Sequence, residues 1–149
     1  KAGMKEQGKI PSRAVKFHEA IYQENPEIGA ILIAHPLHMV AFAVTDADFD
    51  PRTIPESYIF LREVRKEPFE EIYTDPTAAA KNFNRHTPVI LYKNDCAAVT
   101  GETLLQAFDR LEVAEATANS IIASSDLGPV VHITAQEIDE LKEAFHLKD

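Results

Sequence analysis

Positive charge is scarce in this sequence. Its 149 residues carry 15 Lys and Arg against 24 Asp and Glu, a net charge of 15 − 24 = −9. Such a surface repels phosphate backbones and anionic headgroups, so neither nucleic acid nor a membrane surface is an expected partner. Cysteine is reduced to Cys96, so no internal disulfide can form, and a reducing, cytoplasmic setting is expected. Glycine is limited to 5 residues, and none of them builds a phosphate-cradling loop. Long apolar runs are missing as well. The longest, Gly29 to Ala34, is strand-sized and far short of the roughly 18 residues of a membrane span. Behind Lys1-Ala2-Gly3-Met4-Lys5 there is no apolar block, so no signal peptide is expected. The first residue is not methionine, which admits a piece of a longer protein.

What is present suits a globular α/β domain. Hydrophobic residues make up 45 % of the chain, enough for a core. Neither a repeat, a low-complexity tract nor a linker interrupts it, so one domain over residues 1–149 is expected. After a polar lead at Lys1 to Lys9, Ala14, Phe17, His18 and Ile21 fall at helical spacing, which predicts a helix from Ser12 to Gln23. Asn25-Pro26 ends it. Ile28 to Ala34 predicts a strand covered on both faces, and Pro36 opens a helix to Ala43. Thr45 to Arg52 reads as a loop. Pro55 to Leu61 and Asp75 to about Arg85 read as helices, the latter capped by Asp75.

Pro88 to Tyr92 predicts a second apolar strand, and Ala97 to Thr100 a short return that Gly101 turns. Thr103 to Ser124 is the longest helix, with Leu104, Phe108, Leu111, Ala114, Ala118 and Ile121 as its buried stripe. Val130-Val131 suggests a brief strand, and Thr134 with Glu137 a capping box.

Polar chemistry gathers at two strand ends, His35 and Asn94-Asp95-Cys96. Ligand sites in α/β layers lie beyond strand ends. If the strands are neighbours, His35, His38, Asp95 and Cys96 offer imidazole, carboxylate and thiolate to a divalent metal. The bland alternative is a histidine that simply starts a helix. His18 reads as a core histidine, Glu56 as surface, Tyr58 as core, and Cys96 as an inert buried thiol rather than a nucleophile. Ser12 and Arg13 stand where a helix start can hold an anion.

The order of segments resembles a known family. Lys9-Ile10-Pro11-Ser12, the helix with Phe17-His18 and Ile21-Tyr22, Asn25-Pro26-Glu27 and Gly29 to Pro36 are similar to the class II aldolase/adducin family. Val89 to Asn94, Val99 to Leu105 and Ala107-Phe108-Asp109 continue the likeness over nearly the whole chain.

The resemblance implies a three-layer α/β/α fold, a central sheet flanked by helices. It implies lyase or epimerase chemistry on a phosphorylated sugar, and a cytosolic homo-oligomer, typically a tetramer. It also implies a zinc-type divalent metal held by three histidines, and a glutamate base. Carried over residue by residue, His35 matches one metal histidine, while Ile33 and Asp95 stand at the other two. Cys96 replaces a glycine, and Ala14 stands at the glutamate. Pro11 and Ser12 remain of the phosphate-binding run, with Arg13 in place of a serine. The family's N-terminal portion finds no match here.

Two expectations follow. One is a divergent sugar-phosphate aldehyde-lyase or epimerase with a remodelled site at His35, His38 and Asp95. The other is a family member that has lost catalysis and serves as a binding or oligomerisation module. Ala14 cannot take a proton, and a positioned base is typically worth 10²–10⁴-fold.

Overall fold

The computed structural model describes residues 8–147. The expected polar lead at Lys1 to Lys9 therefore lies almost wholly outside the described residues. In chain order the elements are α1 (Val15–Glu24), β1 (Ala30–Ala34), α2 (Leu37–Ala43), α3 (Pro55–Leu61), β2 (Val64–Glu67), α4 (Glu71–Thr74), α5 (Pro76–Lys81), β3 (Val89–Tyr92), β4 (Ala97–Gly101), α6 (Leu104–Ser124) and α7 (Ala135–Ala144).

The four strands lie in the order β1-β4-β3-β2. β4 runs antiparallel to both neighbours, with Ile33 opposite Ala98 on one side and Ile90 opposite Ala98 on the other. β2 runs parallel to β3, with Val64 opposite Val89. Parallel neighbours need a crossover, which α4 and α5 supply.

Alternation along the strands divides the core in two. Ile31, Ile90, Tyr92 and Ala98 face α1 and α5, meeting Phe17, Ile21, Ala79 and Phe83. Val89, Leu91, Ala97 and Val99 face the other way, onto Met39, Phe42, Leu61, Ala114 and Ala118. The result is a three-layer α/β/α fold, as expected.

Several elements differ from their sequence pattern. β1 is covered on both faces only at Ala30 and Ile31; Leu32 to Ala34 are half-buried, because an edge strand has one paired neighbour and its end runs out toward solvent. α5 stops at Lys81 instead of near Arg85. The Asn84 side chain takes the backbone N–H groups of His86 and Thr87, which competes with helix. Val130-Val131 forms no strand.

On α6, Leu104 and Phe108 are 64 % and 48 % exposed, and Ala107 is buried in their place. Its backbone packs so close to Gly101 that a Cβ there would lie 2.6 Å from Ala107 N. That contact turns the Ala107 edge of the first turn inward. β2 and α4 have no sequence signal: Val64-Arg65-Lys66-Glu67 is a polar edge strand.

Caps follow expectation more closely. Thr134 and Glu137 form a reciprocal capping box, Asp75 accepts from Ala78 N, and Thr103 accepts from Gln106 N. One buried polar pair joins α3 to α6: Ser57 Oγ lies 2.6 Å from Thr117 Oγ1, which donates to Val113 O. Thr117→Val should cost about 1–3 kcal/mol by leaving the Ser57 hydroxyl buried and unpaired. Adding Ser57→Ala should recover part of that loss. Urea unfolding of the two single variants and the double variant measures the coupling.

Among the described residues, no helix is long and apolar enough to cross a membrane.

Candidate active site

The site is assembled where β1 ends and the β3–β4 hairpin turns. Tyr92 N donates to Cys96 O, and Asp95 N donates to Tyr92 O, closing the turn. Asn94 sits at φ 57°, a left-handed conformation that asparagine tolerates. Its N–H donates to Ala43 O at the end of α2, at 3.1 Å. That bond ties the turn to the helix that follows His35.

β1 and β3 are not neighbours, since β4 lies between them. Even so, the turn carries Asp95 back toward β1. His35 Nε2 lies 3.8 Å from Asp95 Oδ1, an ion-pair separation when the ring is protonated. The imidazole is 65 % exposed and the carboxylate 20 %, so the ring is the accessible partner.

His38 turns elsewhere. Its Nδ1 lies 2.7 Å from Glu115 Oε1 on α6. Glu115 also accepts from His38 N at 3.0 and 3.1 Å and from Met39 N at 3.0 Å. Pro36, the N-cap of α2, has no side chain to cap it, and Glu115 does so from another helix. Burial works to raise the Glu115 pKa, but these hydrogen bonds outweigh it and hold the carboxyl below its ordinary value.

His35 and His38 line one cleft of about 590 Å³ with Ala34, Leu111, Glu112 and Asn119. Sequence reasoning missed Glu115, which looks like one more surface acid on α6. The available signal was the proline at the start of α2, which obliges some other group to take the first N–H groups.

The remaining candidates scatter. Cys96 is buried, and burial, the neighbouring Asp95 charge and a hydrogen bond to Asp95 push its thiol up to about 12. It should therefore resist thiol reagents between pH 7 and 9 in the native protein and react at once in guanidinium. Fast native labelling by a disulfide reagent would contradict this.

His18 is half-buried edge-on to Phe17, and burial lowers its pKa. Glu56 is exposed and Tyr58 buried. Ala14 is the buried N-cap of α1. Ser12 lies just before that helix, its Oγ accepting from Ala14 N at 3.2 Å. Arg13 stacks its guanidinium 4.9 Å from the Tyr73 ring centroid.

These side chains do not make a three-ligand metal centre. His35 and Asp95 supply two donors, His38 is drawn to Glu115 on α6 and is not grouped with them, and Ile33 supplies none. Among the described residues, no group of three or more His, Cys, Asp or Glu is placed to hold an ion. A catalytic zinc site ordinarily takes three protein ligands, so the donor set does not fit one.

The family model described as Class II Aldolase and Adducin N-terminal domain matches residues 2–122. The chain belongs to the class II aldolase and adducin family. This aldolase-family chain is 31 % identical over 140 residues to a 3-oxo-tetronate 4-phosphate decarboxylase of Pectobacterium atrosepticum, covering 90 % of the chain and 63 % of the relative. It is 30 % identical over 118 residues to an L-fuculose phosphate aldolase of Methanococcus vannielii, covering 78 % of the chain and 64 % of that protein. It thus spans under two thirds of the length of these curated relatives.

Among solved structures, YgbL of Escherichia coli superposes with a TM-score of 0.76 at 28 % identity, over 91 % of this chain and 67 % of YgbL. An L-fuculose 1-phosphate aldolase shares the fold at 22 % identity, with a TM-score of 0.73 over 96 % of this chain and 68 % of that one.

Proposed function

We propose that this aldolase-family chain cleaves a carbon–carbon bond beside the carbonyl of a small phosphorylated sugar, with His35 paired to Asp95 as its acid. The observation that carries this is the exposed His35 imidazole held 3.8 Å from the Asp95 carboxylate at the mouth of a cleft. A protonated imidazole can donate to the carbonyl oxygen as charge builds there, the role of a general acid. The relatives named as a sugar-phosphate aldolase and a sugar-acid phosphate decarboxylase support the substrate class. Both named reactions break a carbon–carbon bond next to a carbonyl and leave its electron pair on that oxygen. Ser12 and Arg13, at the start of α1, are the residues we propose for the phosphate.

The test is aldehyde release from a panel of phosphorylated ketoses by the untagged chain. CO2 release from phosphorylated 3-oxo sugar acids is measured alongside. The expected result is aldehyde release by the wild type and a loss of about 10²–10⁴-fold in His35→Ala, with the melting temperature unchanged because the ring is exposed. CO2 release without aldehyde release would replace the aldol reading with decarboxylation. Binding without turnover on either panel would favour the non-catalytic module, to which the substitutions at Ala14 and Ile33 point.

A further inference from the structure

An aldol cleavage needs two proton transfers, and His35 with Asp95 accounts for one of them. The carbonyl oxygen must gain a proton, and the β-hydroxyl must lose one. Ala14 buries a methyl group at α1 and can take none. The second imidazole on the cleft is His38.

Its environment sets its proton. The Glu115 carboxylate is an acceptor only, so the ring nitrogen 2.7 Å from it must donate. With the proton on Nδ1, the neutral ring carries its lone pair on Nε2, and that is the basic nitrogen. Two backbone N–H groups fix the carboxylate as well, so the ring is aimed by a partner that cannot swing away. A helix cap alone would need only those backbone bonds.

The cleft's lining agrees with this division of labour. Among the described residues it carries Glu112 and Glu115 and no lysine or arginine. A phosphate is disfavoured there. An uncharged hydroxyl and carbonyl are not.

We propose that His38, positioned by Glu115, is the base that takes the β-hydroxyl proton while His35 protonates the carbonyl oxygen; this rests on the aldol reading above. Both imidazoles on the cleft would then carry a carboxylate partner, with complementary jobs. His38 Nε2 accepts the hydroxyl proton, and the carbon–carbon bond breaks to release an aldehyde. The bonding pair passes to the carbonyl oxygen, which His35 protonates to give an enediol. His38 returns its proton to the carbon, and the enediol oxygen gives its own back to His35. Both rings end as they began. Glu115 is a positioning residue, because it acts through the ring.

The test combines kinetics with a spectroscopic readout. His38→Ala leaves the backbone bonds to Glu115 in place and should fold. It should lower kcat by about 10²–10⁴-fold with KM nearly unchanged, and added imidazole should restore part of the rate. Nitrogen-15 NMR of the wild type should show the His38 proton on Nδ1, and Glu115→Gln should weaken that preference.

An active wild type whose His38→Ala variant turns over within threefold of it would overturn this inference and leave the proposed function standing. A His38 proton on Nε2 would also overturn it. No aldehyde release by the wild type, with the Nδ1 proton seen, would remove the aldol reading and the base assignment with it, leaving only the Glu115–His38 pair.

Discussion

Gly29→Ala should abolish folding. A Cβ built at that position lies 2.2 Å from the backbone oxygen of Glu102, a contact no rotamer can relieve. Gly29 N–H also donates to Gly101 O at 2.9 Å, so relief would pull β1 away from β4 at the first step of their pairing. Such a clash against main chain belongs with substitutions that exceed about 4 kcal/mol, a large fraction of the total stability of a domain this size. Circular dichroism and urea unfolding read the effect. Gly128→Ala is the control: nothing lies within 4 Å of its added Cβ, and only its φ of +130° opposes the change. It should cost far less.

The second large effect concerns what the site lacks. Positions 33 and 95 are the two at which the family resemblance implies metal histidines beside His35. Asp95 sits 3.8 Å from His35. Placing imidazoles at both, in Ile33→His with Asp95→His, restores the three histidines that the resemblance implies. That is the ligand count of a catalytic zinc site.

The double variant should retain about one zinc per chain after gel filtration, where the wild type retains almost none. Ile33 is only half-buried against the α1-side core, so the histidine there costs about 1–3 kcal/mol at most in lost apolar burial. Equal zinc in wild type and variant, by elemental analysis, would show that the wild-type residues already form a metal centre.

The outcome for the fold follows from which signals are local. The helices of Pro55–Leu61 and Thr134 onward declare themselves through proline and capping chemistry, and both form where expected. β3 is a run of four apolar residues buried on both faces, and it reads as one. β2 cannot be read, because three of its four residues are charged and its identity as a strand comes from pairing with β3. The misread α6 stripe has the same origin. Leu104 and Phe108 satisfy helical periodicity, but the close approach of Gly101 to Ala107 decides which edge faces inward.

The site divides in the same way. His35 and Asp95 are conspicuous, each standing at a strand end. Their meeting needed the hairpin to reach past β4 and the Asn94–Ala43 bond to hold it there. His38 was visible as an imidazole in the first turn of a helix, yet its role depends on Glu115, 77 residues away in sequence. Nothing local distinguishes Glu115 from Glu112 on the same helix. Only the uncapped start of α2 asks for it.

The chain offers two imidazole–carboxylate pairs, His35 with Asp95 and His38 with Glu115, and the direct question is whether these suffice. Aldehyde release by the wild-type chain should be measured before and after exhaustive dialysis against a chelator, with Asp95→Asn beside it. Rates unchanged by chelation and depressed in Asp95→Asn are the expected result. Activity that vanishes with the chelator and returns on adding zinc would contradict it.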